Sequence, residues 1–293
     1  MITKYNISVF EWVDVIAPQE SDLELISKEY NIQYALLADS VEAGHLPKYE
    51  AIDDLVFLMF RIFDKNSTND ADSISKLTEK ISVFYRDNFI ITIHRDEIDF
   101  ITKMIKRNSC KNIFDLLLYF IISSTLSFEK KINNIIGTIE IIENHLFGNK
   151  NSKHILQDLY RIKKQIYVID KTLDLNIDLV QNIIDDTKLN KSLLQDIKEA
   201  NDKLQFRSNN IIDSIYNIIN IHLAIESNKA NDIMKMLTVV TLFFLPASFL
   251  VGIYGMNFKI PELELKFGYG YFWIFLILME IIILFIAKKK KWM

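Results

Sequence analysis

One cysteine, Cys110, stands among the 293 residues. It excludes an internal disulfide and leaves no thiolate set for a zinc site. The lack of cysteine pairs agrees with a reducing compartment. Glycine (7) and proline (4) are scarce, which favours long uninterrupted helices. No glycine-rich phosphate loop and no nucleophile–base arrangement is visible, so an enzyme is not expected. The net charge is −4 and no basic patch alternates with aromatics, so no nucleic-acid partner is expected. The first residues, MITKYNISVFEWVDVIAPQ, have no long apolar core behind a basic start and do not read as a signal peptide.

Long apolar runs are present, and they are confined to 231–293. Met236 to Phe258 carries no charge. At about 1.5 Å per residue such a run spans a hydrocarbon core of about 30 Å. Within it Asn231, Met234, Thr238, Thr241, Leu245, Ser248 and Gly252 follow at steps of three and four, so they share one helix face. Most of that face is polar or small, and lipid cannot satisfy hydroxyls and an amide. It is either a packing seam between helices or the lining of a water-filled path. A second run, Phe267 to Ala287, carries one charge, Glu280, and is followed by Lys288, Lys289, Lys290 and Lys291. A carboxylate inside a span is functional by default, and Glu280 is expected to be protonated or paired with a neighbouring helix. The lysines place the C-terminus in the cytoplasm, and two spans then place the N-terminal part there too.

Residues 1–110 read as a mixed α/β domain. Ile7–Phe10, Leu55–Phe63, Ile81–Tyr85 and Phe89–His94 look like strands. Ser21–Tyr30 and Ile32–Ala38 look like short helices, and 66–75 like a polar loop. His94-Arg95-Asp96 reads as a solvated strand end. His45, His145, His154 and His222 show no ligand spacing with one another and read as surface or packing residues. Residues 111–230 read as helical. One helix is expected over Ile113–Phe147, ended by Gly148-Asn149. A second spans Ser152 to Ile184, broken at Asp185-Asp186-Thr187. A third starts near Asn190 and meets no stop before the apolar run. Ile197, Leu204, Ile211, Ile218 and Ile225 recur every seventh residue, with Ile215 on the same face, a heptad seam. A helix of about 65 residues would be about 100 Å long. Its seam packs on the two preceding helices, or surrounds an axis with copies of itself, or does both.

Tyr254-Gly255-Met256-Asn257 closes the first apolar run, with SNKANDIMKMLT before it and FKIPELELKFGYG after it. Two C-terminal membrane helices, Gly-Met-Asn ending the first and a basic tail ending the second, make the chain resemble the CorA family of magnesium channels. The stretch ADSVEAGHLPKYEAIDDLVFLMF resembles that family's N-terminal domain. The resemblance implies a cytoplasmic α/β domain, long stalk helices and two C-terminal transmembrane helices in a homopentameric funnel. The first span then covers about 235–255, the outer loop 256–269, the second span about 270–287 and the tail 288–293. It implies that the first span of each protomer lines one central pore in the cell (inner or plasma) membrane. Asn257 would form a ring of amides at the outer mouth, with Tyr254, Gly255 and Met256 shaping the loop. Asn231, Met234, Leu237, Thr238, Thr241, Leu245 and Ser248 match pore-facing positions, with Met234 and Leu237 as the hydrophobic gate. Family members often have methionine at the Leu245 position and threonine at that of Ser248.

By the same resemblance, Asp39 falls on the regulatory aspartate and Asp196 on the stalk aspartate facing it from a neighbouring protomer. Together they would bind Mg²⁺ and hold the pore closed, with Glu42, Asp53, Asp54, Glu199 and Asp202 adding to the field; otherwise both are solvated carboxylates. Lys288 to Lys291 match a basic collar, a role that overlaps with plain anchoring at the membrane surface. Glu280 departs from the family pattern. The function implied is influx of hydrated Mg²⁺ down its electrochemical gradient. Mg²⁺ would thus be both transported and regulatory. Zinc-transporting relatives carry Gly-Ile-Asn, so Met256 argues for Mg²⁺, with Co²⁺ or Ni²⁺ as further substrates. A membrane-anchored coiled-coil scaffold would explain heptads and spans but not the Tyr-Gly-Met-Asn motif.

Overall fold

The computed structural model describes residues 1–7, 9–42, 44–107, 112–147, 155–186, 191–257, 260–261 and 265–290. Cys110, the Gly148-Asn149 cap, Ser152, His154, Thr187, Asn190, Lys259, Glu262, Glu264 and Lys291 lie outside the described residues. The elements are β1 (Ile2–Ile7), β2 (Phe10–Ile16), α1 (Glu20–Tyr30), α2 (Tyr34–Val41), β3 (Lys48–Ile52), β4 (Leu55–Phe63), α3 (Ile74–Leu77), β5 (Thr78–Arg86) and β6 (Phe89–His94). They continue with α4 (Asp99–Arg107), α5 (Ile113–Ser127), α6 (Glu129–Phe147), α7 (Ile155–Asp186), α8 (Lys191–Tyr254) and α9 (Gly268–Lys289). The chain divides into two compact units, Met1–Ile218 and Ile219–Met293.

In the first unit the strands form one sheet in the order β1-β2-β6-β5-β4-β3. Only the β2–β6 pair is parallel. Side chains alternate across a strand, and here both faces are buried. From β4, Phe57 and Met59 join Leu23, Ile26 and Leu37 of α1 and α2. Leu58, Phe60 and Ile62 join Leu116, Leu117 and Phe120 of α5, with Leu179 of α7 and Ile197 of α8. A strand buried on both faces reads as a continuous apolar run, which is why Leu55–Phe63 and Phe89–His94 are legible.

Three expectations are corrected. Ile7–Phe10 is not a strand but the reversal between two strands, because the β1–β2 register pairs Ile7 with Phe10. Ile113–Phe147 is not one helix but α5 and α6, parted at Phe128. There the hydroxyls of α5 are drawn to β4: Ser124 Oγ donates to the Arg61 carbonyl at 2.8 Å, and Ser127 Oγ accepts the Phe63 N–H at 2.9 Å. Ser127 Oγ also donates to the Ser124 carbonyl at 2.6 Å, competing with the helix ladder. The third correction is His94, which is 3 % exposed and not a solvated strand end. Its Nε2 lies 2.9 Å from Asp14 Oδ1, and Thr92 Oγ1 donates to the same oxygen at 2.5 Å. Burial alone would lower the His94 pKa, but the hydrogen bond and charge of Asp14 outweigh it and raise the net value.

Up to Ile218 the heptad seam is buried inside the chain, whereas Ile225 is only half-buried. Leu204, Ile211, Ile215 and Ile218 are buried, as are Ile135 and Ile139 of α6 and Ile166 and Ile169 of α7. Polar contacts set the same packing: Arg207 and Lys203 reach Glu129, and Lys163 sits 4.4 Å from the Tyr216 ring centre.

The second unit comprises the rest of α8, with Pro246 inside it, and α9. Tyr254 meets Phe272 edge-on at 5.0 Å. Val239 and Ala287 are its buried apolar residues among those described. Both helices are long and apolar enough to cross a membrane.

Candidate functional site

Asn231, Met234, Leu237, Thr238, Thr241, Leu245, Ser248 and Gly252 are all exposed. From residue 231 on, the residues of α8 that are covered lie elsewhere: Val239, Phe243, Pro246, Ala247, Leu250 and Tyr254. At 100° per residue these two sets occupy opposite sides of the helix. The polar stripe is therefore not a seam with α9, which takes the other side. Thr238 Oγ1 donates to the Met234 carbonyl at 2.8 Å, and Thr241 Oγ1 to the Leu237 carbonyl at 2.9 Å. Each hydroxyl proton is spent on its own helix, and oxygen lone pairs remain for an outside donor. Pro246 has no N–H to offer the Leu242 carbonyl, which frees one more acceptor in the same helix.

The stripe ends at the Tyr254-Gly255-Met256-Asn257 turn. The Gly255 N–H bonds the Val251 carbonyl at 2.9 Å and the Met256 N–H the Ile253 carbonyl at 3.1 Å. A Cβ at Gly255 would stand 3.2 Å from the Val251 carbonyl oxygen, so the position is tight for any larger residue. Asn257 is exposed beyond this turn. Lys288 and Lys289 close α9, where cations favour a helix C-terminus, and Lys290 caps it. Glu280 is half-buried on α9, and its Oε2 has no hydrogen-bond partner among the described residues.

A second cluster lies in the α/β domain. Asp39, near the end of α2, meets Lys48 of β3 at 2.5 Å and His45 Nε2 at 3.0 Å. Glu42 Oε2 stands 3.1 Å from the same His45 nitrogen. The three potential ligand atoms of Asp39, Glu42 and His45 lie within 4.8 Å of one another. The hydrogen bond from Lys48 holds the Asp39 pKa below its ordinary value. Two carboxylates and an imidazole suit a divalent cation of borderline softness, which would have to displace Lys48 from Asp39. Spacing among the histidines alone does not reveal His45 in this role. The spacing Asp39, Glu42, His45, in steps of three, was the available signal. Asp196 is exposed on α8 and makes no ion pair with a described residue; within one chain Asp39 and Asp196 are not brought together.

The family model of CorA-like Mg²⁺ transporter proteins matches residues 8–289. The chain belongs to the CorA family. The family is one of membrane transporters, not enzymes. The chain is 25% identical over 299 residues to the cobalt/magnesium transport protein CorA of Methanocaldococcus jannaschii, covering 96% of this chain and 90% of that one. It is 23% identical over 296 residues to the protein of the same description from Thermotoga maritima, covering 96% and 83%. The complete structure of the Methanocaldococcus jannaschii CorA magnesium transporter superposes with a TM-score of 0.83 at 21% identity, covering 99% of this chain and 93% of that one. The ZntB cytoplasmic domain from Vibrio parahaemolyticus superposes with a TM-score of 0.61 at 13% identity, covering 76% and 90%. The α/β domain, the long helix and the two C-terminal apolar helices are thus the CorA fold.

Proposed function

We propose that this CorA-family chain is a homopentameric divalent-cation channel, chiefly for Mg²⁺, in the cell membrane with both termini in the cytoplasm. The observation that carries the reading is the stripe of α8: neutral, acceptor-rich, turned away from α9, and ended by the exposed Asn257. Copies of the chain around one axis would turn five such stripes toward water. Mg²⁺ dehydrates reluctantly, so neutral oxygens that accept from its water shell can pass it without stripping it. At 100 mV a divalent ion gains about 4.6 kcal/mol on entry, twice the single-charge figure. No other energy source is required. The similar transporters are described as cobalt/magnesium proteins, which supports Co²⁺ as a further substrate. Met256 in place of the isoleucine of zinc-transporting relatives favours Mg²⁺ over Zn²⁺.

Gating follows from the acidic cluster. Asp39 on one protomer and the exposed Asp196 of the next, with Glu42 adding to the field, would bind cytoplasmic Mg²⁺ only in the closed packing. Mg²⁺ then shifts the equilibrium by its differential affinity for the two states. Met234 and Leu237 form the hydrophobic gate, and Lys288 to Lys291 the basic collar that also anchors the tail. The test is Mg²⁺ flux into liposomes under an inside-negative potential. Wild type conducts, and Asn257→Ala, assembled normally by size exclusion, does not. Undiminished flux in the assembled variant would place the filter elsewhere.

A further inference from the structure

Away from α8 and α9, the α/β domain holds a cavity of about 340 Å³ bordered by Ser40, Arg61, Ser75, Lys80, His94 and Arg95, among others. Its central charge has no counter-ion among the described residues. Arg61 is 2 % exposed, and every acceptor it meets among the described residues is neutral. Its Nε donates to Thr78 Oγ1 at 2.6 Å and its Nη1 to the His45 carbonyl at 2.6 Å. Its Nη2 reaches the carbonyls of Thr78 and Ile74 only at 3.3 and 3.5 Å. A guanidinium has five donors, so capacity remains. Lys80, paired with Arg61 across the β4–β5 ladder, donates to the backbone carbonyls of Asp39 and Glu42. No described carboxylate forms an ion pair with either cation; the side chains of Asp39 and Glu42 act on Lys80 only from farther off. Burial first, and then Arg61, push the Lys80 pKa down to about 8. Arg95 adds a third positive charge at the rim, shared with Asp64 and Asp96. The one acid in the lining, Glu79, is spent on the Asp96 N–H at 2.8 Å, and burial raises its pKa.

Buried charges are ordinarily paired, because an uncompensated one costs several kcal/mol. A buried guanidinium and a half-buried ammonium on one cavity, with the exposed Ser75 hydroxyl beside them, describe a receptor for a compact dianion. A guanidinium fork and an ammonium together are the usual donors for phosphoryl oxygens. We propose that this cavity binds a phosphate-bearing anion, either inorganic phosphate or the phosphate chain of a nucleotide. Its volume admits a phosphate with room for a substituent. Arg61 and Lys80 also grip the carbonyls of Asp39, Glu42 and His45, so occupancy of the cavity would be felt at the acidic cluster. The proposal stands independently of the ion path.

The experiment uses the full-length protein in detergent, in chloride buffer of matched ionic strength with EDTA, so that chelation plays no part. Inorganic phosphate and ATP are titrated separately by calorimetry and by thermal melting. Saturable binding that raises the melting temperature is expected. Lys80→Gln, folded by circular dichroism, should bind about tenfold more weakly or worse. Equal affinity for the two probes assigns the phosphate group alone, and tighter binding of ATP assigns a nucleotide. A second readout needs no variant: either anion should slow acylation of Lys80, read by mass spectrometry. The proposal is overturned if neither anion binds beyond the chloride control, if Lys80→Gln binds as well as wild type, or if Lys80 labelling ignores both anions.

Discussion

The two units treat apolar surface in opposite ways. In Met1–Ile218 both faces of the sheet and the seam of α8 are covered by the same chain. In Ile219–Met293 large apolar side chains stand open: Phe244, Phe249, Ile277 and Phe285 are all more than half exposed. Apolar exposure on that scale marks a surface meant for another environment. Two environments are implied, because the exposed surface has two chemistries. The aromatic and aliphatic positions suit lipid. The hydroxyl, amide and glycine positions of α8 do not, and only water or further copies of the chain can satisfy them.

The sharpest way to break this contrast is to delete one aromatic from each unit. Phe120 is fully buried and touches Trp12, Phe60 and Phe100. Phe120→Ala should cost about 3–5 kcal/mol. Phe285→Ala, at a side chain 70% exposed, should cost under about 0.5 kcal/mol. Melting of both full-length variants in detergent, followed by circular dichroism, decides; equal effects would erase the distinction.

Within the second unit, Ala287 and Gly252 make a smaller contrast. Ala287 is 1% exposed, so Ala287→Leu overpacks the unit by about 1–3 kcal/mol. At Gly252 a Cβ would meet nothing within 4 Å. Gly252→Leu should therefore fold normally yet cut Mg²⁺ flux in liposomes, since it fills the stripe. A flux unchanged by Gly252→Leu would detach the stripe from the ion path.

In the first unit, pH offers a subtler probe. His94 faces Asp14 of β2 and the Asp96 carbonyl, with Glu79 of β5 nearby. Its folded-state pKa lies above the ordinary 6.5. The stability it contributes is therefore complete below 6.5 and is lost as pH rises through the folded value. The melting temperature of wild type should fall over that rise more than that of His94→Gln; parallel curves would remove the His94–Asp14 pair as a source. The smallest effect is on gating. Asp39→Ala with Asp196→Ala should spare flux but abolish the protection from protease that Mg²⁺ gives wild type, and protection of equal strength would exclude these two aspartates.

Legibility in the sequence followed burial. Leu55–Phe63 and Phe89–His94 stood out because strands covered on both faces cannot hide their composition. β3 (Lys48–Ile52) was missed because KYEAI is a half-covered edge strand with little apolar signal. The break at Phe128 was invisible because its cause is tertiary: Ser124 and Ser127 bond to β4, some sixty residues away in the chain. The stripe of α8 was legible because three–four spacing survives any packing. The Asp39–Glu42–His45 cluster was half legible. Asp39 was found by resemblance, whereas His45 joins it only through the turn into β3.

The central claim is that the surface left open on α8 is completed by copies of the same chain. Native mass spectrometry of the detergent-solubilised protein tests it most directly. The account predicts one stable species of five chains, each of 34.4 kDa. A stable monomer or dimer would leave the stripe of α8 facing lipid and would contradict the account.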